Sequence, residues 1–274
     1  MPAVGLDDYS FKAFSQHDFY RQVNKWLVDR AGLEPGWTVV DAGCGCGAVT
    51  ELIAERVRGG RDAVVTGLDV SAAALREAQE KLAGVRDVAV EFIQARAEEM
   101  SQALRRVVDA VVFCNGIHYV EDKGGLLAEV YRTLPAGGVF AFNTTFFQGA
   151  HLEETDRFYR RWMMKALRML RAQYDLRPER GKVEARHQLT PDQYGRLLDV
   201  EGFEIRVQEL VPVSVSEQGW IDISRYADFI AGVLPGISIE TASEVLCETV
   251  RDTLAELRVR SVPRNWLSVV AARP

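Results

Sequence analysis

Between residues 37 and 144 the chain alternates short apolar segments with amphipathic ones, and this alternation constrains the fold more than any other feature. The apolar segments have the length of strands and begin near Trp37, Val64, Val88, Val107 and Val139. The segments between them carry the apolar spacing of helices. Strands separated by helices predict a parallel sheet with crossover helices on both faces. We therefore expect a doubly wound α/β sheet.

Two segments interrupt this alternation and predict insertions. Residues 148–189 contain a long helical pattern, Glu153 to Tyr174, where such a fold would pass directly to its next core helix. Residues 216–261 contain two further helical patterns. Between the insertions, Thr190 precedes a proline and is followed three residues later by a glutamine, which predicts a capped helix start. Each insertion is expected to form a helical cap.

The ends of the chain complete the architecture. Residues 1–34 predict N-terminal lid helices, with one helical pattern from Phe14 to Ala31. Strands are expected at 203–215 and 265–272, which brings the total to seven. The sequence thus predicts one α/β domain over 1–274, with a mostly parallel seven-stranded sheet and two helical caps.

The charge and composition of the chain limit the kinds of molecule that it is expected to bind. The 274 residues include 33 basic and 39 acidic side chains, a net charge of -6, which disfavours binding to nucleic acid. No apolar run reaches the length of a membrane span, and the N-terminus lacks the pattern of a secretion signal. Four cysteines are too few for a disulfide framework in a chain of this size. These features predict a cytoplasmic protein without membrane insertion.

A glycine-rich turn follows the first strand and predicts a ligand site. It contains Asp41, Gly43, Gly45 and Gly47, with Cys44 and Cys46 in between. Glycines allow a ligand to approach the backbone closely, and the amides of the following helix can hold a carboxylate. Asp41 would repel a pyrophosphate and suits a cationic ligand better. The cysteines lack further ligands at metal-binding spacing, so we expect no metal here.

With this turn the chain resembles class I S-adenosylmethionine-dependent methyltransferases over roughly residues 35 to 147. The resemblance implies the class I methyltransferase fold and S-adenosylmethionine as cofactor. It also implies that Asp69, at the end of the second strand, holds both ribose hydroxyls, since one carboxylate offers two acceptor oxygens. Val70 is then expected against the adenine ring.

After the third strand, the chain departs from the family pattern. Arg96 stands where the family places an acid against the adenine edge, and Ala97 is the small residue that follows. An arginine cannot accept the hydrogens of the adenine amino group. A backbone carbonyl, Gln94 or Glu98 is expected to take that role.

The fourth strand ends in a sequence that resembles the small-molecule form of the family's fourth motif. It includes Asn115 and Gly116, which are expected beside the cofactor. The two-proline form, which the family uses to methylate amines, is absent. Cys114 lies in an apolar strand without the proline that precedes a nucleophilic cysteine, so core packing is the preferred interpretation.

His118 is the strongest catalytic candidate, with Tyr119 beside it. A histidine just beyond the fourth strand lies at the edge of the sheet where doubly wound folds bind ligands. It could take a proton from a substrate hydroxyl, or it could cap the next helix or contact the cofactor. His17 and Tyr20, in the N-terminal lid, could touch the substrate or the methionine carboxylate, although packing is favoured.

Apolar side chains in the two caps indicate the substrate. They are Trp162, Met163, Met164, Leu167 and Met169 in the first and Trp220, Tyr226, Phe229 and Leu234 in the second. They either pack on the sheet or on a second copy in a homodimer, or they roof the cofactor cleft. If they roof it, the pocket fits an apolar natural product or lipid-like metabolite. We expect O- or C-methylation of such a molecule; the alternative is a cyclase of methyltransferase fold that retains S-adenosylmethionine as a structural element.

Overall fold

The computed structural model describes residues 9–104, 106–179 and 187–274. In these residues seven strands form one sheet of order β3-β2-β1-β4-β5-β7-β6. The strands are β1 Thr38–Ala42, β2 Val64–Asp69, β3 Ala89–Gln94, β4 Ala110–Cys114, β5 Val139–Thr144, β6 Glu204–Ser216 and β7 Ser261–Ala272. The pairs among β1–β5 are parallel, and β7 is antiparallel to both β5 and β6. The predicted doubly wound, mostly parallel sheet is confirmed.

The helices follow the predicted order with two differences. They are α1 Lys12–Ser15, α2 Asp18–Arg30, α3 Ala48–Val57, α4 Ala72–Leu82, α5 Met100–Leu104, α6 Lys123–Thr133, α7 Glu153–Tyr174, α8 Pro191–Val200, α9 Glu217–Ile223, α10 Ala227–Val233 and α11 Ile239–Leu257. The single helix expected from Phe14 to Ala31 is divided, because His17 has an extended backbone with ψ of 138°. Helix α9 was not predicted.

Helix α8 shows how the sequence fixes an element locally. Thr190 Oγ1 accepts a hydrogen bond from the Gln193 amide at 3.1 Å, and the Gln193 side chain accepts one from the Thr190 amide at 2.8 Å. Pro191 stands in the first turn, where its missing amide hydrogen costs nothing. The predicted capped start of this helix is therefore correct.

The strand β7 is longer than predicted. It begins at Ser261, and it pairs with β6 from Ser216↔Ser261 to Glu204↔Ala272. Its first residues carry a weak strand pattern of their own, and the long antiparallel ladder with β6 holds them in the sheet. This extension brings Arg264 into a strand.

A separate apolar core, called the cap core here, lies beside the sheet. It is formed by α2, the cap helices α7 and α9–α11, and the ends of β6 and β7. Its largest members are Phe158, Trp162, Trp220, Phe229 and Trp266. The two insertions thus bury their apolar faces against each other. In the described part of the chain, no helix combines the length and the apolar character needed to cross a membrane.

Candidate active site

A cavity of about 450 Å³ lies at the carboxyl ends of the five parallel strands, under the cap helices. This is the edge at which doubly wound sheets bind ligands. Its walls include most of the residues predicted to hold the cofactor: Tyr20, Gly43, Cys44, Gly45, Asp69, Val70, Arg96, Ala97, Asn115 and Gly116. They also include His118 and Tyr119. Apart from Tyr20, which lies on α2, the sheet gathers these residues at the carboxyl ends of β1, β2, β3 and β4 and in the segments that follow them.

The glycine turn and Asp69 form one hydrogen-bonded unit. The Gly45 amide donates to Asp69 Oδ2 at 2.8 Å, and the Ser71 amide donates to Asp69 Oδ1 at 2.9 Å. Gly45 has a φ of +52°, and a Cβ added there would meet no atom within 4 Å. The turn thus leaves open space beside a carboxylate whose two oxygens are held in place.

Two residues of the turn, Asp41 and Gly47, do not line the cavity, so their predicted contact with the cofactor stays a prediction. Asp41 is buried behind the turn, where its Oδ2 accepts a hydrogen bond from Thr50 Oγ1 at 2.6 Å and its Oδ1 has no partner. Burial raises the pKa of Asp41 to about 7. The hydrogen bond from Thr50 lowers this pKa, but its effect is smaller than that of burial. Gly47 starts α3 with a φ of +80°, and a Cβ there would lie 3.0 Å from the Ala78 Cβ. Both residues support the turn from behind.

The loop after β3 forms the side of the cavity expected for adenine. Val70 is 60% exposed, as an open platform would be, and Ala97 is buried. Arg96 is paired with Glu98 at 2.7 Å, and both line the cavity. Gln94 does not line it, because its side-chain amide donates to the Val70 carbonyl oxygen at 3.0 Å. Of the two side chains expected to replace the family's acid, Glu98 is the one at the cavity.

A network of buried amides fixes helix α2 over the sheet edge. Asn143 Nδ2 donates to Asn24 Oδ1 at 2.8 Å, and the Asn115 amide donates to Asn143 Oδ1 at 3.1 Å. Trp266 Nε1 donates to Asn115 Oδ1 at 3.0 Å. This network joins α2 to the ends of β4 and β5 and to β7, and it places Tyr20 of α2 in the cavity wall.

His118 lies in the wall almost completely buried. Its Nδ1 is 3.1 Å from Thr144 Oγ1, and its ring stacks on Phe146 with 4.2 Å between centroids. Its Nε2 is buried and has no hydrogen-bond partner. Burial lowers the pKa of His118 to about 3, with smaller contributions from the positive charges of Arg264 and Lys123. The imidazole is therefore neutral near pH 7.

The other predicted catalytic residues have different positions. Tyr119 lines the cavity beside His118 and is 40% exposed. His17 does not line it; its Nε2 lies 2.9 Å from Asp222 Oδ2, which ties the start of α2 to α9. This position supports the packing interpretation of His17, and its catalytic role stays a prediction. Cys114 lines the cavity, but burial raises the pKa of its thiol well above the ordinary value, which suits packing rather than nucleophilic attack.

The apolar cap residues divide between packing and roofing. Trp220, Tyr226 and Phe229 line the main cavity, and Met163 lines a neighbouring cavity of about 260 Å³. The remaining members line neither cavity. Trp162 and Leu234 are buried in the cap core, Met169 packs against that core, and Met164 and Leu167 are exposed. Three of the cap residues thus line the main cavity, whereas the buried ones that do not line it pack within the caps; packing on a second copy stays a prediction.

Sequence reasoning missed Phe146 and Arg264, which line both cavities. A signal for Arg264 exists, because it stands midway between the apolar residues Val262 and Trp266 with the spacing of one strand face. The predicted strand began at Asn265 and so left Arg264 outside.

These residues fit S-adenosylmethionine. Asp69 supplies two acceptor oxygens, the space beside Gly45 admits a ligand against the backbone, and the unpartnered Nδ2 of Asn115 is a buried donor in the same wall. Val70 and Ala97 provide the apolar surfaces that a purine ring needs. A sulfonium nucleoside with an amino-acid tail matches this combination of acceptors, donors and flat apolar surface.

Comparisons with known proteins agree with this geometry. Residues 39–138 match the family model described as a methyltransferase domain. The chain is 34% identical over 129 residues to the ubiquinone biosynthesis O-methyltransferase of Pseudomonas savastanoi pv. phaseolicola (strain 1448A / Race 6), a match that covers 47% of this chain and 52% of the relative. The chain thus spans about half the length of that curated relative.

Solved structures share the fold over most of the chain. The cyclase SpnF aligns with a TM-score of 0.58 and 16% identity, covering 94% of this chain and 86% of that chain. A mycolic acid cyclopropane synthase complexed with SAH and CTAB aligns with a TM-score of 0.55 and 15% identity, covering 92% and 84%. Residues 39–138 thus match a methyltransferase domain, and the fold and the glycine turn with Asp69 around them are those of the class I S-adenosylmethionine-dependent type.

Proposed function

We propose that this chain transfers the methyl group of S-adenosylmethionine to an oxygen or carbon of a small molecule with a largely apolar body. One observation carries the proposal: a single cavity extends from Asp69 and the glycine turn to the aromatic side chains Trp220 and Phe229 of the caps. A cofactor at one end and a substrate at the other would therefore meet without water between them. The name of the Pseudomonas relative supports an oxygen as acceptor.

The residues have distinct roles in this proposal. Asp69 would accept hydrogen bonds from the ribose hydroxyls, and the backbone of the turn at Gly45 would pass along the cofactor. When bound, the cofactor supplies an electrophilic methyl group on a sulfonium. Phe146, Trp220 and Phe229 would exclude water and hold the substrate, so that alignment and desolvation provide most of the catalysis.

His118 would contact the substrate oxygen through its unpartnered Nε2. Thr144 Oγ1 already accepts a hydrogen bond from the Phe146 amide at 3.0 Å, so its own proton is free to be donated to His118 Nδ1. In that arrangement Nε2 carries the ring proton and donates to the substrate. In the opposite tautomer Nε2 is the acceptor and takes the proton of a substrate hydroxyl.

Replacements of His118 distinguish these roles. Glutamine can donate a hydrogen bond but cannot act as a base, so His118→Gln retains much of the activity if the ring is a donor. It is as inactive as His118→Ala if the ring is a base. The rate of both variants would be measured with the same acceptor across pH 6 to 9.

The function itself is tested by product analysis. The protein would be incubated with S-adenosylmethionine and with phenols, carboxylic acids and carbon acids that each carry an aromatic or long-chain body. Mass spectrometry would follow S-adenosylhomocysteine and the methylated acceptor, which should form in equal amounts. A converted acceptor without S-adenosylhomocysteine would contradict methyl transfer and favour the cyclase alternative.

A further inference from the structure

Arg264 is a buried cation in the wall of both cavities. Its side chain is 5% exposed, and it stands on β7 between Val262 and Trp266, which belong to the cap core. The second cavity, which Arg264 shares with Met163 and Phe229, includes none of the residues predicted to hold the cofactor. Arg264 therefore reaches a part of the site beyond the glycine turn.

The partners of Arg264 do not neutralise its charge. Its Nη2 donates to the Thr145 carbonyl oxygen at 2.8 Å, and Tyr159 shares the wall of the second cavity with it. The guanidinium lies over the ring of Phe146, 5.1 Å from the centroid, and 6.0 Å from that of Trp220. Its Nε is buried without a partner, and within the described ranges no carboxylate lies within 4 Å of it.

An arginine remains charged in a protein interior, so the molecule bears the cost of burying this cation unless an anion joins it. The aromatic rings offset part of that cost. Asp228 lines both cavities, but it is exposed and accepts a hydrogen bond from Tyr226. Trp220 Nε1 and Asn115 Nδ2, in the wall of the main cavity, are also buried donors without acceptors. A ligand with negatively charged or hydrogen-bond-accepting oxygens would thus supply the partners that these buried donors lack.

We propose that the substrate carries an anionic group, a carboxylate or another oxyanion, that binds the guanidinium of Arg264 while its apolar body lies against the cap aromatics. This inference rests on the proposed function and names its substrate class as an amphiphilic anion. The carboxylate of the cofactor is the other possible source of the same chemistry. The second cavity favours the substrate, because Arg264 lines it and the glycine turn does not.

Matched probes test the charge preference. 8-Anilinonaphthalene-1-sulfonate and N-phenyl-1-naphthylamine share one apolar body and differ by the sulfonate; decanoate and decanol form a second, slimmer pair. Binding would be measured with the intact chain saturated with S-adenosylhomocysteine, so that the cofactor site is filled. We expect at least one anion to bind about tenfold to a hundredfold more tightly than its neutral counterpart. Equal binding within both pairs would overturn the proposal.

Variants assign the preference to Arg264. Arg264→Met should abolish it while leaving the neutral probes unchanged, and Arg264→Lys should keep part of it. Arg160→Met, on the exposed side of α7, is the control and should bind as the wild type does. An anion preference that survives in Arg264→Met would also refute the assignment.

Calorimetry with S-adenosylhomocysteine separates the two anion sources. Unchanged affinity in Arg264→Met, with a normal thermal unfolding curve, is expected and shows that fold and cofactor site are intact. A loss of more than tenfold would mean that Arg264 holds the cofactor carboxylate, and the substrate proposal would fail. Failure of the proposed methyl transfer would instead appear as a missing S-adenosylhomocysteine product with all these affinities preserved.

Discussion

His17 Nε2 lies 2.9 Å from Asp222 Oδ2, and this pair joins the residue before α2 to helix α9. Both side chains are largely buried. The cavity has Tyr20 of α2 on one side and Trp220 of α9 on the other. The pair therefore connects two elements that close over the same site.

Breaking this connection should loosen the closure. His17→Ala or Asp222→Ala is expected to weaken binding of S-adenosylhomocysteine several-fold and to speed proteolysis of the N-terminal segment, because a partly buried hydrogen-bonded pair is lost. The double variant should be no weaker than the single ones. Lys25→Ala, which removes an exposed pair with Asp29, is the control. Additive losses in the double variant would show that the two residues act independently.

Two glycines of the same turn should respond differently to alanine. Both have positive φ, so each substitution costs about 1 kcal/mol of backbone strain. In Gly47→Ala the new Cβ also crowds Ala78, so the main loss is in stability, measured by denaturant unfolding. In Gly45→Ala it enters open space at the cavity, so the main loss is in affinity for S-adenosylhomocysteine. Equal affinity losses in both would argue against a cofactor beside Gly45.

The carboxylate of Asp69 should govern cofactor affinity. Asp69→Asn keeps the shape but removes one acceptor oxygen and the charge, and it is expected to reduce affinity for S-adenosylhomocysteine by more than tenfold. Calorimetry would measure this, with Asp199→Asn on the exposed face of α8 as control. An Asp69→Asn protein of wild-type affinity would contradict the ribose assignment.

The buried ring of His118 should make stability depend on pH. The unfolded chain protonates this ring near pH 6.5, whereas the folded chain holds it neutral down to a pKa of about 3. Its contribution to stability is thus complete above pH 6.5 and is lost as the pH falls toward 3. Between pH 7 and pH 5 the free energy of unfolding of the wild type should fall by about 2 kcal/mol more than that of His118→Gln. His187→Gln, at an exposed position, should behave as the wild type.

Asp41 should produce the opposite dependence. Burial raises its pKa from 3.8 in the unfolded chain to about 7 in the folded one, so its contribution is complete below pH 3.8 and is lost as the pH rises through 7. Asp41→Asn cannot ionise and should lack this decline. Denaturant unfolding of the cofactor-free protein at pH 4.5 and pH 7.5 measures the difference. A variant with the wild-type pH slope would show that Asp41 is ionised in the fold.

Local patterns predicted most of the elements that build the site. The helix α7 was predicted at its exact bounds, and the strand β5 at its exact first residue, because their apolar spacing is a local property. The break in the lid helix at His17 was not predictable, since His17 takes its place through a partner 205 residues away. The first residues of β7 were missed because their strand conformation depends on pairing with β6.

The sequence by itself determined the doubly wound fold and the cofactor class, because the strand–helix alternation, the glycine turn and Asp69 lie within a short stretch and act through local geometry. Only the tertiary structure decided which residues share the cavity. In the structure Asp41 and Gly47 lie behind the turn, and the cap residues are divided between the cap core and the cavity wall. Arg264 of the last strand lines the same cavity as His118. Burial, which depends on the packing of distant segments, lowered the pKa of His118 and left Arg264 without a carboxylate.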